Sequence, residues 1–97
     1  MTDFDEFAVE YLPVLRERLR LSSEEEDKLL TSTLKSSAMA IVTLTGASNL
    51  DISVAELAIE RSIYVYNDAL DEFKKAYSDE IEDLYLRHMV LADEEES

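Results

Sequence analysis

Cysteine and tryptophan are missing from this 97-residue chain, and glycine (Gly46), proline (Pro13) and histidine (His88) occur once each. Without cysteine there is no disulfide framework and no thiolate metal site, which is compatible with a cytosolic or virion setting. One glycine cannot make a glycine-rich phosphate loop, and no nucleophile-elbow motif is present. A lone imidazole with no thiol or second histidine makes a poor transition-metal site, so His88 reads as a half-buried structural residue. No run of twenty apolar residues exists to span a bilayer. No basic segment leads into an apolar one after Met1, so secretion is not expected.

Bases are scarce too. Nine Lys and Arg stand against 23 Asp and Glu, a formal charge of −14. Residues 1–48 carry nine acids and five bases; residues 49–97 carry fourteen acids and four bases, so most of the excess lies in the second half. Nucleic-acid affinity comes mainly from Lys and Arg displacing counterions, and a surface this acidic repels phosphate. Direct DNA or RNA binding is therefore not expected. Solubility is the plain reading of the charge; a DNA-mimicking surface, or a wall past which DNA slides, are the sharper ones. Paired carboxylates abound, but acid–base catalysis needs two in contrasting environments, and nothing isolates any pair. The acids of residues 24–27 lack the turn glycine and ligand spacing of a calcium loop. No catalytic residue, cofactor or metal is expected, and the chain does not read as an enzyme.

What the chain does contain is helix code throughout one domain-sized length. Phe4, Phe7, Ala8, Tyr11, Leu15 and Leu19 recur at helical intervals. Pro13 interrupts them, which predicts a short N-terminal helix, a kink near Leu12–Pro13 and a second short helix through Arg20. Ser23 to Glu26 reads as a capping box. The helix after it is predicted to bury Leu30, Leu34, Ser37, Ile41 and Leu44 and to end at Gly46. Small residues at Ser36, Ser37, Ala38 and Ala40 allow a neighbour to come close. Ser53 to Glu56 is a second capping box, opening the most apolar helix. Its two stripes, one through Ile59, Ile63, Tyr66, Leu70, Phe73 and Tyr77, give it neighbours on two sides. The pattern continues through Ile81, Leu84, Tyr85 and His88, as one helix or as two broken at Asn67–Asp68 or Ser78–Asp79. Residues 93–97 are acids without apolar partners and predict a disordered tail. The expected fold is all-α: three to four helices over residues 1–92 with a central apolar helix, a kinked N-terminal helix and a flexible acidic tail.

At about 100° per residue, the polar arc of the central helix is marked by Glu56, Glu60, Asn67, Asp71 and Lys74. Leu57 and Tyr64 fall inside that arc beside Arg61, which predicts a contact patch; packing beneath the N-terminal helix is the alternative. Met39 and Val42 lie off the main stripe of the preceding helix. Arg16, Arg18 and Arg20 cluster at the end of the N-terminal segment, where positive charge suits the helix dipole.

The layout resembles the small head–tail connector proteins of long-tailed phages, the head-completion adaptors that dock under the portal. The likeness rests on the Leu15–Leu19 helix, the acidic run Ser22 to Asp27 and the helix ending at Thr45–Gly46. It continues through Ile52-Ser53-Val54, the aromatic Tyr64 and Tyr66, and the closing Phe73, Tyr77, Ile81 and Leu84, about residues 11 to 90 in all. Phe4 to Tyr11 is an addition to the family's usual opening, and the acidity is high. The resemblance implies a virion protein at the head–tail interface, assembled in the host cytoplasm, with no catalytic activity. It also implies a dodecameric ring between portal protein and tail-side proteins, through which DNA passes without specific binding. A ring needs two different patches per subunit. The Arg16/Arg18/Arg20 cluster meeting acids of residues 56–83 supplies such a pair, and Arg16, Arg18, Arg20, Met39, Leu57, Arg61 and Tyr64 are the expected contact residues. Residues 93–97, and the first ten residues, are expected to order on a partner. A small acidic DNA-mimic inhibitor, or a helical adaptor for a basic partner, is the alternative reading.

Overall fold

The computed structural model describes the backbone of residues 3–96 and the side chains of residues 3–90. The chain forms four helices, α1 (Phe4–Arg18), α2 (Asp27–Thr45), α3 (Ile52–Tyr66) and α4 (Leu70–Glu96). No strand occurs among the described residues. The all-α small bundle expected from the sequence is the observed fold. The α2/α3 pair forms its centre; α1 packs on α2 and α3, α4 packs on the same pair, and α1 and α4 do not pack on each other. The result is flat and elongated, 51 × 29 × 15 Å.

α1 begins on Asp3, whose carboxylate accepts the Glu6 amide at 2.9 Å. Asp5 and Glu6 occupy its first turn and Arg16 and Arg18 its last, each sign at the helix end whose dipole it complements. The helix is continuous through Pro13 and stops at Arg18, where two short helices ending at Arg20 were expected. Proline deprives the Val9 carbonyl of its amide partner. Both residues lie on the solvent side, Val9 at 68% exposure, so water can satisfy that carbonyl. The buried face of Phe7, Ala8 and Leu15 is left intact.

Both capping boxes are displaced. α2 starts at Asp27 behind Glu26, which makes no side-chain cap bond. Glu26 instead accepts the Tyr66 hydroxyl at 2.7 Å, and Ser23 accepts only the Glu25 amide at 3.4 Å. A tertiary bond has taken the carboxylate that the local motif would use. α3 is capped by Asp51, accepting from the Val54 amide at 3.0 Å, two residues ahead of the expected Ser53. The C-terminal end of α2 is as expected, with Gly46 at φ 69° donating to the Val42 carbonyl.

Residues 54–90 are two helices, broken at Asn67–Asp68. Asp68 takes the left-handed conformation (φ 55°). The Asp68 amide donates to the Val65 carbonyl and the Ala69 amide to Tyr64, which is the paired closure of a Schellman motif. α1 ends the same way around Arg20 (φ 58°), with Arg20 donating to Glu17 and Leu21 to Arg16. The break needs no glycine or proline because the motif is closed by these bonds and by the return of α4 onto α3.

The core joins Leu15 of α1, Leu30, Leu34 and Ile41 of α2, Val54, Leu57 and Ala58 of α3, and Phe73 and Leu84 of α4. Leu44, expected inside, is 52% exposed. The buried hydroxyls of Thr45 and Ser62 are satisfied by carbonyls one turn back, Ile41 and Ala58. No buried side-chain polar atom lacks a partner among the described residues. α4 continues as helix through Glu96, so residues 93–96 extend it where a disordered tail was expected, and Ser97 lies outside the described residues. Likewise residues 4–10 are helical within the single chain; Met1 and Thr2 are not described.

The left-handed closures yield a test. A side chain in that conformation costs about 1 kcal/mol relative to glycine. Asp68→Gly and Arg20→Gly are each expected to stabilise the protein by about 0.5–1 kcal/mol in urea unfolding. Gly46→Ala is expected to destabilise it by about 1 kcal/mol, since the added methyl would meet only Tyr85 at 4.0 Å and the penalty is conformational.

Candidate functional site

The residues expected to face other subunits are mostly engaged inside the chain. Arg16 grips Asp27 with both arms, Nε to Oδ1 at 3.1 Å and Nη2 to Oδ2 at 2.6 Å. Both are about one quarter exposed, and the pair clamps the last turn of α1 to the first turn of α2. Arg18 reaches Glu60 of α3 at 2.6 Å, and Tyr77 of α4 donates to the other oxygen of that carboxylate at 3.4 Å. Of the arginine cluster, Arg18 thus meets an acid of residues 56–83, within one chain, and Arg16 meets Asp27 instead.

Arg61 donates to the buried Ser37 hydroxyl at 3.0 Å. Burial lowers the pKa of its guanidinium, which remains charged at neutral pH. Leu57 is 2% exposed, a core residue. Tyr64 is half-buried, with its ring 5.7 Å from Phe73 and 6.2 Å from Tyr77; Phe73 and Tyr77 stack at 4.9 Å. The exposed patch expected at Leu57, Arg61 and Tyr64 is thus corrected to an internal seam. The helical wheel placed these residues on a polar arc because they lie among Glu56, Glu60 and Asn67. With the chain broken at Asn67–Asp68, α4 folds back onto Tyr64, Arg61 turns to Ser37 of α2, and Glu56 and Asn67 stay exposed. Of the seven expected contact residues, Arg18, Arg20 and Met39 remain exposed, Arg18 although it is paired with Glu60 and Met39 at 47%.

What the sequence reading missed is an apolar groove on the other side. Leu44 at the end of α2 and Ile81 and Tyr85 of α4 line a groove of about 470 Å³, with Lys74, Ser78 and Glu82 on its banks. Tyr85 is 44% exposed, and Leu86, Met89 and Val90 continue the apolar surface along α4. The available signal was the spacing of Ile81, Tyr85 and Met89; the first two were absorbed into the core stripe together with Leu84 and His88. At the groove's end His88 donates from Nδ1 to the Thr45 carbonyl at 3.0 Å, bonding one of the last acceptors of α2. This is a structural histidine.

Nothing on the surface is arranged for metal chemistry: among the described residues no group of three His, Asp or Glu side chains could hold an ion. The cleft beside Arg18 has Glu56, Glu60 and Glu80 on its walls, with Glu60 already neutralised by Arg18. Comparison with protein-family models, curated proteins and solved structures finds no match to this chain.

Two tyrosines give the bundle an alkaline limit. The hydrogen bond to Glu26 and partial desolvation raise the pKa of the Tyr66 phenol. Burial, then the charge of Glu60, raise that of Tyr77. A folded-state pKa above the unfolded value means that the folded protein holds the proton more tightly. The resulting stability is fully present below about pH 10, the ordinary tyrosine value, and is lost as pH rises through the raised values. Chemical unfolding at a series of pH values is expected to show stability falling above about pH 10, with a smaller fall in Tyr66→Phe and Tyr77→Phe. Equal alkaline sensitivity in both variants would assign the loss to other groups.

Proposed function

We propose that this chain is a structural head–tail connector of a tailed phage, forming an oligomeric ring between portal and tail and catalysing no reaction. The supporting observation is the order and proportion of the helices. The Leu15-bearing end of α1, an acidic turn, α2 closed by Gly46, a short loop, an aromatic-rich α3 and a long α4 follow the layout on which the resemblance to that family rests. The acid excess suits a channel wall, since it repels a passing duplex. No helix among the described residues is long and apolar enough to cross a membrane.

The in-chain pairing of Arg16 and Arg18 alters how such a ring would be held. Their charges are already matched by Asp27 and Glu60, so on this reading they brace the subunit. The contacts between subunits fall to exposed side chains such as Arg20, Met39 and the apolar Val9, Val14, Leu29 and Ile52. Heterologous contacts of two such patches close a ring.

Native mass spectrometry of the purified chain, alone and with a portal ring, tests the proposal. Multiples of 11.1 kDa at one high, fixed copy number, free or on the portal, are the expected result. A chain that ignores the portal but captures a basic nucleic-acid enzyme, with binding that weakens steeply in salt, would replace the connector reading with that of a DNA mimic.

A further inference from the structure

Residues 23–26 carry two instructions that compete for one carboxylate. Ser23-Glu24-Glu25-Glu26 has every residue of a capping box. The Ser23 hydroxyl could accept the Glu26 amide while the Glu26 carboxylate reached back to the Ser23 amide, and α2 would then begin one turn earlier. Three glutamates in that turn would also suit the positive end of the helix dipole. In the structure the Glu26 carboxylate makes no cap bond. It accepts the hydroxyl of Tyr66, the last residue of α3, at 2.7 Å, and hydrogen bonds to an ionised acceptor are among the stronger ones. The backbone ahead of α2 is nevertheless half wound. The Asp27 amide donates to the Glu24 carbonyl at 3.2 Å, a spacing of three residues where an α-helix has four. Glu26 lies at φ −101°, ψ 8°, between the turn and helical regions. Ser23, Glu24 and Glu25 are exposed, and Ser23 contributes only the 3.4 Å bond from the Glu25 amide.

We propose that residues 23–26 are a latent first turn of α2, held unwound by the Glu26–Tyr66 hydrogen bond, and that release of this bond adds the turn to the helix. The surroundings permit the change. Arg16 with Asp27 and Lys35 with Asp5 set α1 and α2 antiparallel. Winding residues 24–26 onto α2 leaves Leu19 to Ser23 to join the two helices, and five residues reach up to about 17 Å where packed helices lie about 8–10 Å apart. The Arg16 grip is on Asp27, already inside α2, so the bond that ties α1 to α2 needs no change. Nor does the core, since none of residues 23–26 belongs to it. Tyr66 thus latches two helix ends at once, the start of α2 and the end of α3. A contact that engages its hydroxyl in place of Glu26 lengthens α2 and shortens the connection to α1. The device does not rest on the connector reading.

Tyr66→Phe in the full chain tests it, because the variant loses the hydroxyl and keeps the ring that packs on the core. Backbone NMR chemical shifts report helix residue by residue. Residues 23–26 of the wild type are expected to be non-helical. In Tyr66→Phe, Glu24, Glu25 and Glu26 are expected to take helical Cα shifts, the ratio of wound to unwound turn rising about tenfold or more. Adding Ser23→Ala removes the cap and is expected to return these residues to non-helical shifts. Ser23→Ala alone is expected to leave the wild-type turn as it is. Glu26→Gln keeps a capping-box residue but gives up the charge that strengthens the Tyr66 bond. It is expected to shift the turn in the same direction by less, and it decides alone should Tyr66→Phe lose its fold. Non-helical residues 24–26 in the releasing variants, a new turn that persists without the Ser23 hydroxyl, or a wild type already wound there would overturn the proposal.

Discussion

The close approach of α2 and α3 is the constraint on which the rest of the bundle depends. Ser37 and Ala38 on α2, and Ala58 and Ser62 on α3, are fully buried. Small side chains at such positions let two helices meet at short distance, so that dispersion contacts accumulate along the seam. Because the seam is narrow, each helix of the pair still has faces to spare. α1 takes one side and α4 another without touching each other, which is why the molecule is a slab. The polar members of the seam are satisfied locally or by Arg61, and the seam carries hydroxyls without a desolvation penalty left open.

Around that seam the charged residues divide into two populations. A few are placed where they join helices: Arg16 with Asp27, Arg18 with Glu60, and Glu26 with Tyr66. These bonds cross between elements and fix how α1, the acidic turn and the end of α3 sit together. A partly buried, two-point Arg–carboxylate grip is stronger and more directional than an exposed ion pair. Lys35 with Asp5, at 45% and 80% side-chain exposure, belongs with the weaker kind. Asp3 and Asp51 cap α1 and α3, and the excess of the other carboxylates sets the field that approaching molecules meet.

Fold class was legible because helical periodicity is written in many residues at once: Leu30, Leu34 and Ile41 are buried as their spacing says, and Gly46 closes α2. What was not legible were choices decided between elements. Ser23 and Ser53 each carry the residues of a capping box, yet Glu26 is drawn to Tyr66 and Asp51 takes the cap of α3. Pro13 reads as a break, but the carbonyl it orphans faces water and the helix runs on. The contact patch was the largest misreading. Whether α3 and α4 form one helix or two stayed open, because Asp68 is not a strong breaker, and so the return of α4 over Tyr64 could not be placed. The groove went unseen because Leu44 and Tyr85 were each assigned to a core stripe. Among the expected contact residues, charge type was read correctly, but the partner was found inside the chain.

The uninterrupted course of α1 through Pro13 divides that helix in its dynamics if not in its shape. Residue 13 has no amide to offer Val9, and its ring crowds the carbonyl behind it, so the ladder is thinnest midway along the helix. The turns before it are held by Asp3 and by the insertion of Phe7 and Ala8; the turns after it are held by Leu15 and the grip of Arg16 on Asp27. Local opening follows such divisions, releasing one cooperative unit while its neighbour stays closed. One continuous helix is therefore expected to exchange its amides in two parts, the turns before Pro13 opening while those after it stay closed on the bundle.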